Sequence, residues 1–274
     1  MSGVQNSGNI LLRILAKRRE SVAHRQRVLP LVALKIAVEK KAPPARDFSA
    51  ALAPAGINVI AELKKASPSR GVIRENYVPA DLAKDLAGAG AAALSVLTEE
   101  DFFSGSLTHL KEARAVAEIP ILRKDFIFDP WQVWESRAAG ADSFLLIAAL
   151  LETPLLAELI ALGRQLKMEP LVEVHTREEL SSAIEAGAKI VGVNCRDLTN
   201  FEVRLETALA LAGEMPNTCI AVAESGIQSR EDLEALSRAG FDAFLIGEHL
   251  MKHASPGAAL RRLTGATGAR STTP

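Results

Sequence analysis

Four short motifs constrain this chain more than any other feature. Ala89-Gly90-Ala91-Ala92, Ala139-Gly140-Ala141-Asp142, Ala186-Gly187-Ala188-Lys189 and Ala239-Gly240-Phe241-Asp242 each stand just before an apolar run, with glycines 50, 47 and 53 residues apart. Glycine there suits the left-handed position that closes a helix. Each interval is long enough for two strand-helix units, so every second strand is entered through the same kind of turn. Four double units make eight strands and eight helices. An open doubly wound sheet also holds eight strands, but it needs no such regular repeat, and about 250 residues is the usual size of an eightfold (β/α)8 TIM barrel. The barrel is the expected fold.

The apolar runs that would form its strands are Asn58 to Leu63, Ala92 to Leu97, Ile119 to Arg123, Ser143 to Ile147, Pro170 to Val174, Ile190 to Val193, Cys219 to Ala223 and Ala243 to Ile246. Helix starts follow several of them. Asp129-Pro130, Thr153-Pro154 and Ser255-Pro256 place proline just inside a capping residue, and Thr176 with Glu179 has the spacing of a capping box. Before the first run, Ile10 to about Lys41 has helical periodicity, with a second helix from Leu31 after Pro30 and an end at Pro43-Pro44. Residues 1–57 are thus expected to be a mostly helical extension packed on the barrel, residues 58–264 the barrel, and residues 265–274 a disordered tail.

Charge and cysteine content narrow the function. With 32 basic against 33 acidic residues there is no global field to attract nucleic acid or an anionic membrane. Two cysteines, Cys195 and Cys219, are too few for a disulfide framework. No run is long enough to span a bilayer. A cytoplasmic protein, monomeric or weakly self-associating, is expected, with a small molecule as its partner.

In a barrel the chemistry gathers at the carboxyl ends of the strands, so the residues that end each run matter most. They are Glu62 and Lys64; Lys124 and Phe126; Glu173; Asn194 and Arg196; Glu224 and Ser225; and Gly247 and Glu248. Any one of these is an ordinary solvated strand end. Together, Lys64 and Lys124 with Glu62, Glu173, Glu224 and Asn194 at one mouth point to acid-base catalysis, because neighbouring charges move proton affinities toward useful values. Gly226 and Gly247, directly after the seventh and eighth runs, suit a phosphate held by backbone N–H groups. Lys65 to Val78 is longer than a typical strand-helix connection and contains Ser67-Pro68-Ser69-Arg70-Gly71. It is either a lid or a plain mobile loop.

The stretch Ile60-Ala61-Glu62-Leu63-Lys64-Lys65-Ala66-Ser67-Pro68-Ser69 resembles the signature of the indole-3-glycerol phosphate synthase family. The likeness continues through Leu122-Arg123-Lys124-Asp125-Phe126, Asp129-Pro130-Trp131-Gln132-Val133, Leu171-Val172-Glu173-Val174-His175, Gly192-Val193-Asn194, Arg196-Asp197-Leu198, Ala223-Glu224-Ser225-Gly226-Ile227 and Leu245-Ile246-Gly247-Glu248. It implies a carboxy-lyase of tryptophan biosynthesis, needing neither metal nor organic cofactor. By that resemblance Lys124 is the general acid, Glu173 the general base and Lys64 the partner of the substrate carboxylate. Glu62 and Asn194 hold hydroxyls, and Glu224 and Ser225 complete the polar ring. Ser67, Arg196, Gly226, Gly247 and Glu248 contact substrate, and Phe126, Leu198 and Ile227 form an apolar wall. Cys195, Asn200 and Arg204 depart from the family pattern, and Cys195 should point away from the site by strand alternation. His175 is read as structural. The competing readings are a phosphoribosyl isomerase, against which the two lysines argue, and a barrel that binds a sugar phosphate without turning it over.

Overall fold

The computed structural model describes residues 10–197 and 202–265. Residues 1–9, the tail expected to be disordered apart from Gly265, and Leu198 and Asn200 lie outside the described residues. Eight parallel strands close into a barrel: β1 (Asn58–Leu63), β2 (Ala93–Leu97), β3 (Ile121–Lys124), β4 (Ser143–Ile147), β5 (Leu171–Val174), β6 (Ile190–Asn194), β7 (Ile220–Glu224) and β8 (Ala243–Ile246). Each pairs with its neighbour in sequence, and β1 closes the ring on β8, with Asn58 opposite Ala243. The motif glycines do what the repeat requires. Gly90, Gly140, Gly187 and Gly240 have φ of +93°, +91°, +84° and +106°, so each chain reversal into an even-numbered strand uses a conformation that a Cβ would strain.

Three helices precede the barrel: α1 (Ile10–Val28), α2 (Leu31–Lys41) and the short α3 (Phe48–Leu52). They meet the barrel in two places. Phe48 and Leu52 of α3 are fully buried in one cluster with Ile60, Leu122, Leu171, Val222 and Leu245, plugging the inside of the barrel. The α2 helix lies alongside the barrel helix α6 (Pro130–Ala139), where Val22, Leu34 and Trp131 share a smaller core. The remaining helices are α4 (Pro79–Gly88), α5 (Leu107–Val116), α7 (Thr153–Gln165), α8 (Arg177–Glu185), α9 (Leu205–Ala212), α10 (Arg230–Arg238), α11 (Glu248–Met251) and α12 (Pro256–Thr264).

Alternation along the strands divides the core into two. Val59, Ala61 and Leu63 of β1 face the helices, while Ile60 faces the interior. The cap signals hold at three of four places. Asp129 accepts the Trp131 N–H, Ser255 the Ala258 N–H, and Thr176 the Glu179 N–H. Thr153 is corrected: the cap position of α7 is Glu152, which makes no side-chain bond, and Thr153 already lies in the helix. The expected box at Thr176 is half formed, because the Glu179 carboxylate takes the His175 N–H instead.

Candidate active site

Four charged side chains, Glu62, Lys124, Glu173 and Glu224, come one each from β1, β3, β5 and β7. Two residues earlier on the same strands stand Ile60, Leu122, Leu171 and Val222, all in the apolar interior. A barrel is filled by layers of four side chains from alternate strands, and here the uppermost layer is ionic where those below are hydrocarbon. Glu62 and Glu224 are each 1% exposed and Glu173 2%. Lys124 Nζ donates to Glu173 Oε2 and to Glu224 Oε2, both at 2.7 Å. Asn194 Nδ2 donates to Glu173 Oε1 at 3.1 Å. Lys64 Nζ approaches Glu62 Oε1 at 2.5 Å, a charge contact without hydrogen-bond alignment, so both Glu62 oxygens are buried and unsatisfied.

Two glycines make room for this layer. A Cβ on Gly192 of β6 would stand 2.1 Å from Glu224 Oε1, and one on Gly247 would stand 2.3 Å from Glu62 Oε1. Gly247, expected to expose backbone to a phosphate, leaves room here for a carboxylate. Gly192 was given no role of its own by the sequence, since one glycine inside an apolar run has no distinctive signal.

Burial and neighbours set the proton affinities. Burial opposes charge on Lys124, but Glu173, then Glu224 and Glu62, outweigh it and raise its pKa above that of an ordinary lysine. Burial likewise works against ionised Glu173, yet Lys124, then His175 and the hydrogen bonds from Lys124 and Asn194 hold it down, at about 2. Glu224 goes the other way. Burial pushes it up, and with Glu173 beside it the pull of Lys124 is insufficient, leaving it at about 7. One ammonium thus faces two carboxylates whose proton affinities are pushed in opposite directions.

The layer floors a cavity of about 480 Å³, a size suited to a small molecule. Every described residue singled out above lines it: Glu62, Lys64, Ser67, Lys124, Phe126, Glu173, Asn194, Arg196, Glu224, Ser225, Gly226, Ile227, Gly247 and Glu248. Ile227 is also buried against the outer core, and Ser225 has φ of +68°, a strained conformation at the strand end. Phe103, which the sequence did not mark, lines the wall beside Phe126, their ring centroids 6.2 Å apart. Three bases gather on Glu248: Lys252 Nζ at 2.6 Å, Arg196 Nη2 at 3.1 Å and Arg70 Nε at 3.2 Å. Lys252 was missed although the i, i+4 spacing to Glu248 marks the pair.

Two loops are tied down. The long connection after β1 forms a small antiparallel ribbon of Ala66–Ser67 with Gly71–Val72. Beyond it, the Arg74 guanidinium donates to the carbonyls of Met251, His253 and Ala254. The loop after β3 is held from the extension: Arg18 of α1, 1% exposed, donates to Asp125 Oδ2 at 2.5 Å, as do Thr98 and Arg123. Cys195 points away from the cavity into the outer core, and burial pushes its thiol up to about 11. The ring of His175, read above as structural, lies against Glu173, with Nε2 3.4 Å from Oε1. Among the described residues no cluster of metal-ligating side chains is present, and no helix is long and apolar enough to cross a membrane.

Solved barrels share the architecture at low identity. A 3-hexulose-6-phosphate synthase from Salmonella typhimurium superposes with a TM-score of 0.61 at 11% identity, covering 76% of this chain and 97% of that one. A thiamine phosphate pyrophosphorylase from Pyrococcus furiosus gives 0.56 at 16%, covering 76% and 93%. These show the fold alone. Sequence relatives are much nearer. The chain is 49% identical over 259 residues to the indole-3-glycerol phosphate synthase of Burkholderia vietnamiensis and 48% identical over 259 residues to that of Burkholderia multivorans, in each case covering 93% of this chain and 98% of the relative. The family model for indole-3-glycerol phosphate synthase matches residues 11–263. Because that span runs from α1 through α12 and includes every described side chain of the ionic layer, this chain belongs to the indole-3-glycerol phosphate synthase family.

Proposed function

We propose that the protein closes the indole ring of 1-(2-carboxyphenylamino)-1-deoxyribulose 5-phosphate, giving indole-3-glycerol phosphate, carbon dioxide and water. The observation that carries this reading is the placement of Lys124 between Glu173 and Glu224 on the floor of the cavity, 2.7 Å from each. The aromatic carbon bearing the carboxylate attacks the ketone carbon, and the ketone oxygen takes a proton. Lys124 is the donor, since the forming alkoxide is far more basic than an amine. Loss of carbon dioxide then restores the benzene ring. In the last step the hydroxyl leaves as water, with a proton from an acid, while a base removes a proton to form the pyrrole double bond. Glu173 is the base, and Glu224, whose proton affinity burial raises, returns protons to the pair.

Lys64 holds the substrate carboxylate until it departs, and Glu62 and Asn194 hold hydroxyls. The phosphate is assigned to the rim at Ser225, Gly226, Gly247 and Glu248, where Arg196 and Lys252 supply positive charge and where it would displace the Glu248 carboxylate. Phe126, with Phe103, faces the aromatic ring, and Ser67 covers it from the first loop. These steps use side-chain acids and bases alone. Purified protein given substrate, with no cofactor added, should show rising indole fluorescence as substrate is consumed. Folded protein that consumes none would defeat the reading.

A further inference from the structure

His175 follows the end of β5 by one residue, and its side chain is 13% exposed. Its ring lies between two carboxylates. Nδ1 is 3.2 Å from Glu179 Oε2 and Nε2 is 3.4 Å from Glu173 Oε1. Glu179, in the first turn of α8, also accepts the backbone N–H of His175 at 2.7 Å through the same oxygen. One carboxylate therefore fixes both the main chain and the ring plane. Nε2 is buried and hydrogen-bonded to nothing among the described residues, so its facing group is Glu173, whose other oxygen is held by Lys124.

We propose that His175, braced by Glu179, is a positioning residue that stays protonated between the two carboxylates and keeps Glu173 ionised and turned toward Lys124 and Asn194. The inference rests on the reading of Glu173 as the base. The charged groups that act most strongly on the imidazole are Glu179 from α8, Glu173 from its own strand and Glu224 from β7, all of them acidic; the Lys124 ammonium stands beyond Glu173, on that residue's other oxygen. Burial opposes a charge on the ring, but the Glu179 hydrogen bond and these carboxylates outweigh it. A neutral histidine would leave buried negative charges facing an unprotonated nitrogen. An imidazolium turns the same contacts into an alternating string: Glu179, His175, Glu173, Lys124, Glu224.

The sign of the effect on the acids is fixed. Removing a positive charge beside Glu173 and Glu224 makes both hold their protons more tightly, so the acid limb of kcat/KM moves to higher pH. His175→Gln, which keeps an amide donor and loses the charge, should shift that limb upward by about one pH unit and lower kcat more than it changes KM. His175→Lys, which keeps the charge, should return the limb toward the wild-type position. Independently of turnover, NMR titration of the wild-type imidazole resonances, assigned by difference from His175→Gln, should place the His175 midpoint above about 6.5, and Glu179→Gln should lower it. A midpoint at or below the ordinary value overturns the inference, as does an acid limb that His175→Gln leaves unmoved. Wild-type protein without turnover would count against the proposed reaction, and the NMR midpoint would still decide the state of His175.

Discussion

Lys124 and Glu224 stand 100 positions apart in the chain and 2.7 Å apart at Nζ and Oε2, with Glu173 on the same ammonium. Lys124→Ala should lower kcat by about 10²- to 10⁴-fold, the usual range for loss of a general acid, while the far-UV circular dichroism stays that of a folded barrel. It also strands two buried carboxylates, and breaking a buried pair costs about 3 kcal/mol or more. In the variant both carboxyls have folded-state pKa values above their unfolded ones. Their protonated forms favour the fold at low pH, and that support is lost as pH rises through the folded values. Urea midpoints should therefore fall further below wild type at pH 8 than at pH 5. An equal loss at both would show that the pair is not desolvated as the geometry requires.

Gly192 and Gly247 each lie where a Cβ would strike a buried carboxylate, at 2.1 Å and 2.3 Å. Gly192→Ala should cost about 1–3 kcal/mol from overpacking and lower kcat by displacing Glu224 from Lys124. Gly247→Ala should act through Glu62. Equilibrium urea unfolding and steady-state kinetics read both effects. Wild-type values for Gly192→Ala would mean that Glu224 moves aside freely.

Arg18 reaches from α1 to Asp125, the residue after Lys124. Burial works against ionised Asp125, but Arg18 and Arg123 outweigh it, so its folded pKa is depressed. Its contribution to stability is present above the ordinary aspartate value, about 3.9, and is lost as pH falls through the lower folded value. Arg18→Ala weakens that depression, so acid unfolding followed by tryptophan fluorescence should begin at higher pH than in wild type. The same substitution should reduce kcat, because the loop that follows Lys124 and carries Phe126 loses its tie to the extension. Arg123 still holds Asp125, so the barrel should remain folded at neutral pH.

The barrel was legible because local chemistry and global closure agree: glycines with positive φ stand before every even-numbered strand, and a single parity runs from Ile60 to Glu62 and from Leu171 to Glu173. The cavity lining was legible for the same reason, since strand ends converge once the ring closes. What escaped were relations between distant residues. Gly192 has meaning only beside Glu224, and His175 only beside Glu173 and Glu179. Arg18 looks like one member of a solvated basic run with Lys17 and Arg19 until α1 is laid against the loop after β3. The divergence of Glu173 and Glu224, two similar strand-end glutamates, depends on which has His175 and Asn194 near it.

Arg74 provides the last prediction, because it decides whether the connection after β1 acts as an ordered wall of the cavity. Its guanidinium donates to three carbonyls around the end of α11, at 3.2, 2.7 and 3.2 Å, while Ser67, Pro68, Ser69 and Arg70 of the same connection line the cavity. Hydrogen bonds from a charged donor contribute about 1.5–3 kcal/mol, yet the groups they tie together lie above the barrel core. Arg74→Ala should therefore leave the thermal midpoint of the barrel nearly unchanged and free the loop locally. Trypsin should then cut after Lys65 or Arg70 faster than in wild type. KM should rise by about tenfold, the equivalent of roughly 1.4 kcal/mol of binding, because the loop must be ordered at the expense of binding energy. An unaltered KM together with unaltered proteolysis would show that the ribbon of Ala66–Ser67 with Gly71–Val72 orders the loop without Arg74.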